Sequence, residues 1–239
     1  MGRRLGTVRP FSLSHEERRW RPNWFLVTTS TDSCCLDYWS KLETDGTLNW
    51  ADAHLTPTGK EQARKVNEVL KFQFAEKDMP VPELYWSSPM WRCLQTAELS
   101  WAELPTADKS SHGRGGRVFV IKEMLREVIG VHTCDRRSGR SVIEQGFGLP
   151  KWRFEEGFGE ADALWKADER ESWAEIDVRM RGVLGQLFEG VDGGNEAEVV
   201  SFTAHSGAVA SLLRVLGHRL WRLGTGGVIP VLVEATRVQ

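Results

Sequence analysis

The chain has no apolar run approaching the ~20 residues that a bilayer-spanning helix needs, which argues against membrane insertion. Charge of one sign is also scarce. The formal net charge is −2 over 239 residues, so no global field gathers nucleic acid or anionic lipid. Cysteine is sparse: Cys34, Cys35, Cys93 and Cys134. Their spacing fits no zinc or redox motif, and the adjacent pair is awkward for a disulfide framework, so a reducing, cytoplasmic setting is expected. The first 21 residues collect Arg3, Arg4, Arg9, Arg18, Arg19 and Arg21. They lack the continuous apolar stretch of a signal peptide and read as a surface arm. No internal repeat is evident.

What is present supports a sizeable core. Hydrophobic residues make up 41% and charged residues 27%, the balance of a folded domain with a polar surface. One domain spanning residues 1–239 is expected. The sequence holds 11 tryptophans, suited to core packing or a pocket wall.

Short apolar runs predict strands at 24–29, 83–87, 118–121, 197–204 and 227–234, the last at a sheet edge because it contains Pro230. Ala63, Val66, Leu70 and Phe74 recur at helical spacing, predicting a helix over 57–77. Its start is either Thr56-Pro57 as cap and first turn or a Thr58/Glu61 capping box. Further helices are expected from Ser88 to about Glu103, over most of 161–190, and over 206–217. Residues 130–160 are rich in glycine and charge and read as an insertion covering the active-site face, with Trp152 and Trp165 able to roof it.

Strands alternating with helices predict an α/β three-layer sandwich, its central sheet mostly parallel and flanked by helices. Ligands of such sheets bind beyond the carboxyl ends of the strands. That rule gathers Thr28–Asp32, Ser88–Arg92 and His205–Gly207 at one crevice. Helices starting near Ser88 and Ser206 would aim backbone N–H groups into it.

Four stretches occur in order: Asp52-Ala-His-Leu-Thr-Pro-Thr-Gly59, Ser88-Pro-Met-Trp-Arg92 with Gln95-Thr96, Leu125-Arg-Glu127 with Gly130 and Cys134-Asp-Arg-Arg137, and Ala204-His205-Ser-Gly207. Together they resemble the histidine phosphatase superfamily, the phosphoglycerate mutase-like proteins, and the Cys-Asp-Arg stretch looks most like fungal members. The resemblance implies the fold just described. It also implies a first strand ending in Arg-His-Gly, whose histidine is the phosphorylated nucleophile, assisted by two arginines, a second histidine and a carboxylic acid. Here Thr28-Thr29-Ser30 follows the first strand's apolar run. Arg92, Glu127 and His205 match the second arginine, the acid and the second histidine.

A threonine without an adjacent base is a poor nucleophile, and loss of one arginine removes charge stabilisation. Phosphohistidine chemistry is therefore not expected. The residues left suit acid/base catalysis (dehydration, cyclisation, isomerisation or lyase chemistry) on a small anionic or oxygen-rich metabolite, and the fungal likeness suggests secondary metabolism. His205 and Glu127 would move protons, with Glu123 the competing acid and Asp32 a repurposed one. Arg92 would anchor an oxyanion, and Thr28, Thr29, Ser30 and Ser206 would line the pocket. No cofactor and no metal is expected, no nucleic-acid or membrane partner, and a homo-oligomer stays open. Two alternatives remain, a residual phosphomonoester phosphatase and a catalytically inactive anion-binding protein.

Overall fold

The computed structural model describes residues 23–29, 39–44, 46, 49–107, 117–148, 150–193, 197–221 and 223–234. Strands and helices alternate: β1 (Asn23–Thr29), α1 (Pro57–Glu76), β2 (Leu84–Ser87), α2 (Trp91–Ser100), β3 (Phe119–Ile121), α3 (Arg140–Gly146), β4 (Trp152–Phe154), α4 (Trp173–Phe188), β5 (Val199–Ala204), α5 (Ser206–Val215) and β6 (Val228–Val233). The sheet order is β4-β3-β2-β5-β1-β6. All neighbours run parallel except β6, which lies antiparallel to β1 at the edge with Pro230 opposite Leu26. An edge tolerates the missing N–H of proline.

The period-2 alternation of strand side chains splits the core into two layers. Leu84, Trp86, Val120, Val200 and Phe202 face α4 and α5 through Ile176, Met180, Leu184, Val209 and Leu212. Tyr85, Phe119, Ile121 and Trp152 face the other way, toward Val66 and Leu70 of α1, Leu94 and Ala97 of α2, and Ile143 of α3. Both faces of β2 are buried, so its sequence reads as a run rather than an alternation.

Of the two possible starts for α1, Thr56 is the cap: its hydroxyl accepts from Gly59 N at 3.1 Å, and Pro57 takes the first turn. In the stretch 161–190 helix begins only at Trp173, where Ser172 and Glu175 form a capping box. Residues 161–171 are irregular, held by polar bonds that periodicity cannot reveal. The stretch 130–160, expected to be an insertion covering the active-site face, contributes α3 and the edge strand β4, paired with β3 in the register Phe119↔Trp152. Trp152 is core: it stacks on Phe119 with ring centroids 4.5 Å apart. Three residues of strand are too few to show a period, hence the misreading. Among the described residues no helix is long and apolar enough to cross a membrane.

Candidate active site

Register sets the site. Thr28 pairs with Thr203 and Thr29 with Ala204 in the β1–β5 ladder, while Ser87 pairs with Thr203 in the β2–β5 ladder. The residues that follow β5 and β2, His205 and Ser88, therefore meet at the carboxyl end of the sheet beside the end of β1. Ser30 and Asp32, two of the expected site residues, lie outside the described residues, as do Cys34 and Cys35.

His205 is fully buried, at 0% exposure. Its Nδ1 accepts from Arg92 Nε at 3.3 Å, and its Nε2 lies 2.9 Å from Ser88 Oγ and 3.3 Å from Cys93 Sγ. An arginine can only donate, so Nδ1 carries no proton. The neutral ring then holds its proton on Nε2 and donates it toward Ser88 or Cys93. Protonating Nδ1 would set two donors against each other. Burial first, and then the positive charges of Arg92, Arg126 and Arg179, drive the His205 pKa well below its ordinary value. The ring expected to shuttle protons is held neutral in one tautomer, with its lone pair engaged.

Arg92, 4% exposed, sits in the first turn of α2. Besides its bond to His205, it donates from Nη1 to Cys134 O at 2.7 Å and from Nη2 to Asp135 Oδ1 at 3.1 Å. Glu127, also buried, accepts at Oε2 from Gly207 N at 2.9 Å and Ser206 Oγ at 3.3 Å, and at Oε1 from Val128 N at 3.0 Å. Arg179 donates to the Glu127 carbonyl at 3.0 Å. The competing acid, Glu123, is committed elsewhere: its two oxygens bond Arg126 Nη1 at 3.0 Å and Arg137 Nε at 2.7 Å.

The helix N-termini depart from expectation. Both were expected to offer N–H groups to a ligand, yet each has one taken by a carboxylate of the protein itself. Glu127 occupies the start of α5. Asp52, from the loop before α1, accepts from Trp91 N, the first residue of α2, at 2.8 Å and from Ser138 N at 2.8 Å. A carboxylate there is favoured by the helix dipole as an external anion would be. Sequence reasoning missed Asp52 and Asp135 as site-building residues, although both stand in the quoted motifs. It also missed the closeness of Cys93 to His205. Ser206, expected to line the pocket, donates to Glu127.

Other expectations settle similarly. His54 stacks on Trp91 with centroids 4.2 Å apart. Trp165 donates from Nε1 to His132 O at 2.8 Å and packs under Arg136. One donor atom each from His132, Cys134 and Asp135 come within 4.8 Å of one another. Asp135 already bonds Arg92 with one oxygen and Arg170 with the other, at 3.1 and 3.2 Å. A cation would have to displace a guanidinium, so the donor set fits a metal poorly. A cleft of about 660 Å³ is lined by Ile129, Leu164, Arg170, Val178 and Gly182 among others, but not by Arg92, Glu127 or His205.

Residues 42–225 match the model of the histidine phosphatase superfamily, branch 1. The chain belongs to that superfamily. Its members include mutases and phosphatases that act on small phosphorylated substrates. The matched region begins after β1, so the Thr28-Thr29-Ser30 stretch is outside it. Among superfamily relatives, a probable phosphoglycerate mutase of Arthroderma benhamiae is 42% identical over 198 residues, 83% of this chain and 56% of that protein. A probable phosphoglycerate mutase of Saccharomyces cerevisiae is 37% identical over 213 residues, 82% of this chain and 69% of that protein. The chain thus spans little more than half the length of the Arthroderma relative. The ecdysone phosphate phosphatase of Bombix mori, solved with tungstate, superposes with a TM-score of 0.53 at 16% identity, covering 89% of this chain and 92% of that one. That likeness supports the shared fold.

Proposed function

We propose that this superfamily member binds a small anionic metabolite at the carboxyl ends of β1, β5 and β2 and acts on it by proton transfer, without a phosphohistidine. One observation carries the reading. The β1–β5 register brings Thr29 alongside Ala204, next to His205, where the resemblance places the nucleophilic histidine. Arg92 and Glu127 remain at the same mouth. A threonine hydroxyl is a far poorer nucleophile than an imidazole near neutral pH.

The roles differ from those expected of the residues singly. Glu127 is the group to exchange a proton with substrate. His205, its Nδ1 held by Arg92, serves as a neutral hydrogen-bond donor and as a brace for the guanidinium. Arg92 anchors the anion through the charge of its guanidinium. Dehydration, isomerisation, cyclisation and lyase chemistry all fit a carboxylate paired with an oxyanion anchor. A second reading, anion binding without turnover, is supported by the neutral state in which Arg92 holds His205, its Nδ1 already engaged.

The test is a phosphate-release assay over a panel of phosphomonoesters, with wild type beside Arg92→Ala. The expected result is release at background in both. Release by wild type that vanishes in Arg92→Ala would mean phosphoryl chemistry persists, and the reading would fall. Turnover of a non-phosphorylated metabolite that Glu127→Gln abolishes would separate the enzyme from the binder.

A further inference from the structure

Arg92 is an unusual anchor. A buried guanidinium on a helix can swing through several rotamers, and one that swings does not present a fixed fork to an anion. Here the fork is pinned from the far side. The turn at Thr133–Asp135 offers it a carbonyl, Cys134 O at 2.7 Å from Nη1, and a carboxylate, Asp135 Oδ1 at 3.1 Å from Nη2. Asp135 is itself held. Its Oδ2 accepts from Arg170 Nη1 at 3.2 Å, and its backbone carbonyl accepts from Arg126 Nη2 at 2.6 Å. Arg126 in turn is clamped by both oxygens of Asp162, at 2.7 and 2.6 Å. The Asp135 side chain is 6% exposed, so it exchanges little of this for water.

We infer that Asp135 is the positioning residue that aims Arg92 at the ligand, with Arg170 sharing the second oxygen so that Asp135 does not neutralise Arg92 outright. One carboxylate between two guanidiniums fixes the direction of Arg92 and leaves the three groups together with net positive charge. This inference rests on the proposed anion site. Loss of Asp135 lets the guanidinium relax from its aimed rotamer, and anion affinity falls although Arg92 is still present.

The experiment is a calorimetric titration with inorganic phosphate on the full chain: wild type, Arg92→Ala, Asp135→Asn, Asp135→Glu and the double variant Asp135→Asn with Arg92→Ala. Asp135→Asn is expected to weaken phosphate by about tenfold, the scale of a charge-assisted bond lost indirectly. The double variant should bind no more weakly than Arg92→Ala alone, because a positioning residue has nothing left to position. Asp135→Glu, which keeps the charge, should recover part of the affinity, and Asp135→Ser stands in for Asp135→Asn if that variant does not fold. Losses that add in the double variant, or an Asp135→Asn protein that binds as wild type does, overturn the inference and leave the anion site intact. Wild type failing to bind phosphate, or Arg92→Ala binding it unchanged, overturns the anion site and the inference together.

Discussion

At the scale of single residues, the site is built by contacts that leave no slack. A Cβ on Gly207 would lie 2.0 Å from Glu127 Oε1, a distance no carbon–oxygen contact sustains. Gly207→Ala must therefore expel the Glu127 carboxylate from the start of α5. The expected cost is about 1–3 kcal/mol, the range of overpacked sites, read as a lower urea midpoint; an unchanged midpoint would show that Glu127 moves aside freely. His205 supplies a pH signature. Its folded pKa is depressed from 6.5, so the folded state resists the proton that the unfolded state accepts. The stability this represents is fully present above pH 6.5 and drains away as pH falls below it, with a slope of up to about 1.4 kcal/mol per unit. Denaturation at pH 7.5, 6.5 and 5.5 should show that loss in wild type and a flatter profile in His205→Gln. Equal slopes would place the pH response elsewhere.

At the scale of elements, distant residues cap the helices of the site. The local capping position of α2 is Met90, which makes no side-chain cap bond, and Asp52 does that work across the chain. Asp52→Ala strands the N–H groups of Trp91 and Ser138 together. The expected loss is about 2 kcal/mol, with α2 and the 133–139 segment loosened; hydrogen exchange at those two amides reads it directly. Exchange as slow as in wild type would mean water or another acceptor replaces the carboxylate. Thr56→Ala, by contrast, removes one local cap of α1. It should cost only about 1 kcal/mol and leave phosphate binding unchanged, because it touches nothing at the mouth of the sheet.

At the scale of the whole molecule, buried ion pairs join the segments that wrap the site. Arg126 is at 1% side-chain exposure and Asp162 at 6%. Burial raises the Asp162 pKa, but the hydrogen bonds and charge of Arg126 more than offset this and leave it below 3.8. That contribution is present above pH 3.8 and is lost as pH falls through the folded value. Asp162→Ala leaves a guanidinium buried without its clamp and should cost about 3–5 kcal/mol. The chevron or equilibrium midpoint checks it, and a loss under about 1 kcal/mol would mean that the pair behaves as a surface one.

Most of the elements and their order along the chain, α3 and β4 excepted, could be read from the sequence alone. Strand runs, the helical spacing of Ala63, Val66 and Leu70, the Thr56-Pro57 start and the edge proline Pro230 are local signals, and local sterics and burial decide them. So is the set of motifs that carries the superfamily resemblance, which brought Arg92, Glu127 and His205 forward before any geometry. Tertiary structure decided the rest. His205 and Ser88 are 117 positions apart, His205 and Arg92 113, and Arg92 and Asp135 43. No periodicity spans such gaps, and a tautomer depends on which donor arrives at Nδ1. The same reason explains β4, a three-residue strand recruited by its neighbour β3, and the two helix starts where Asp52 and Glu127 each take an N–H. Sequence patterns record what each segment buries, whereas partner choice among charged groups is set only when the sheet brings their loops to one end.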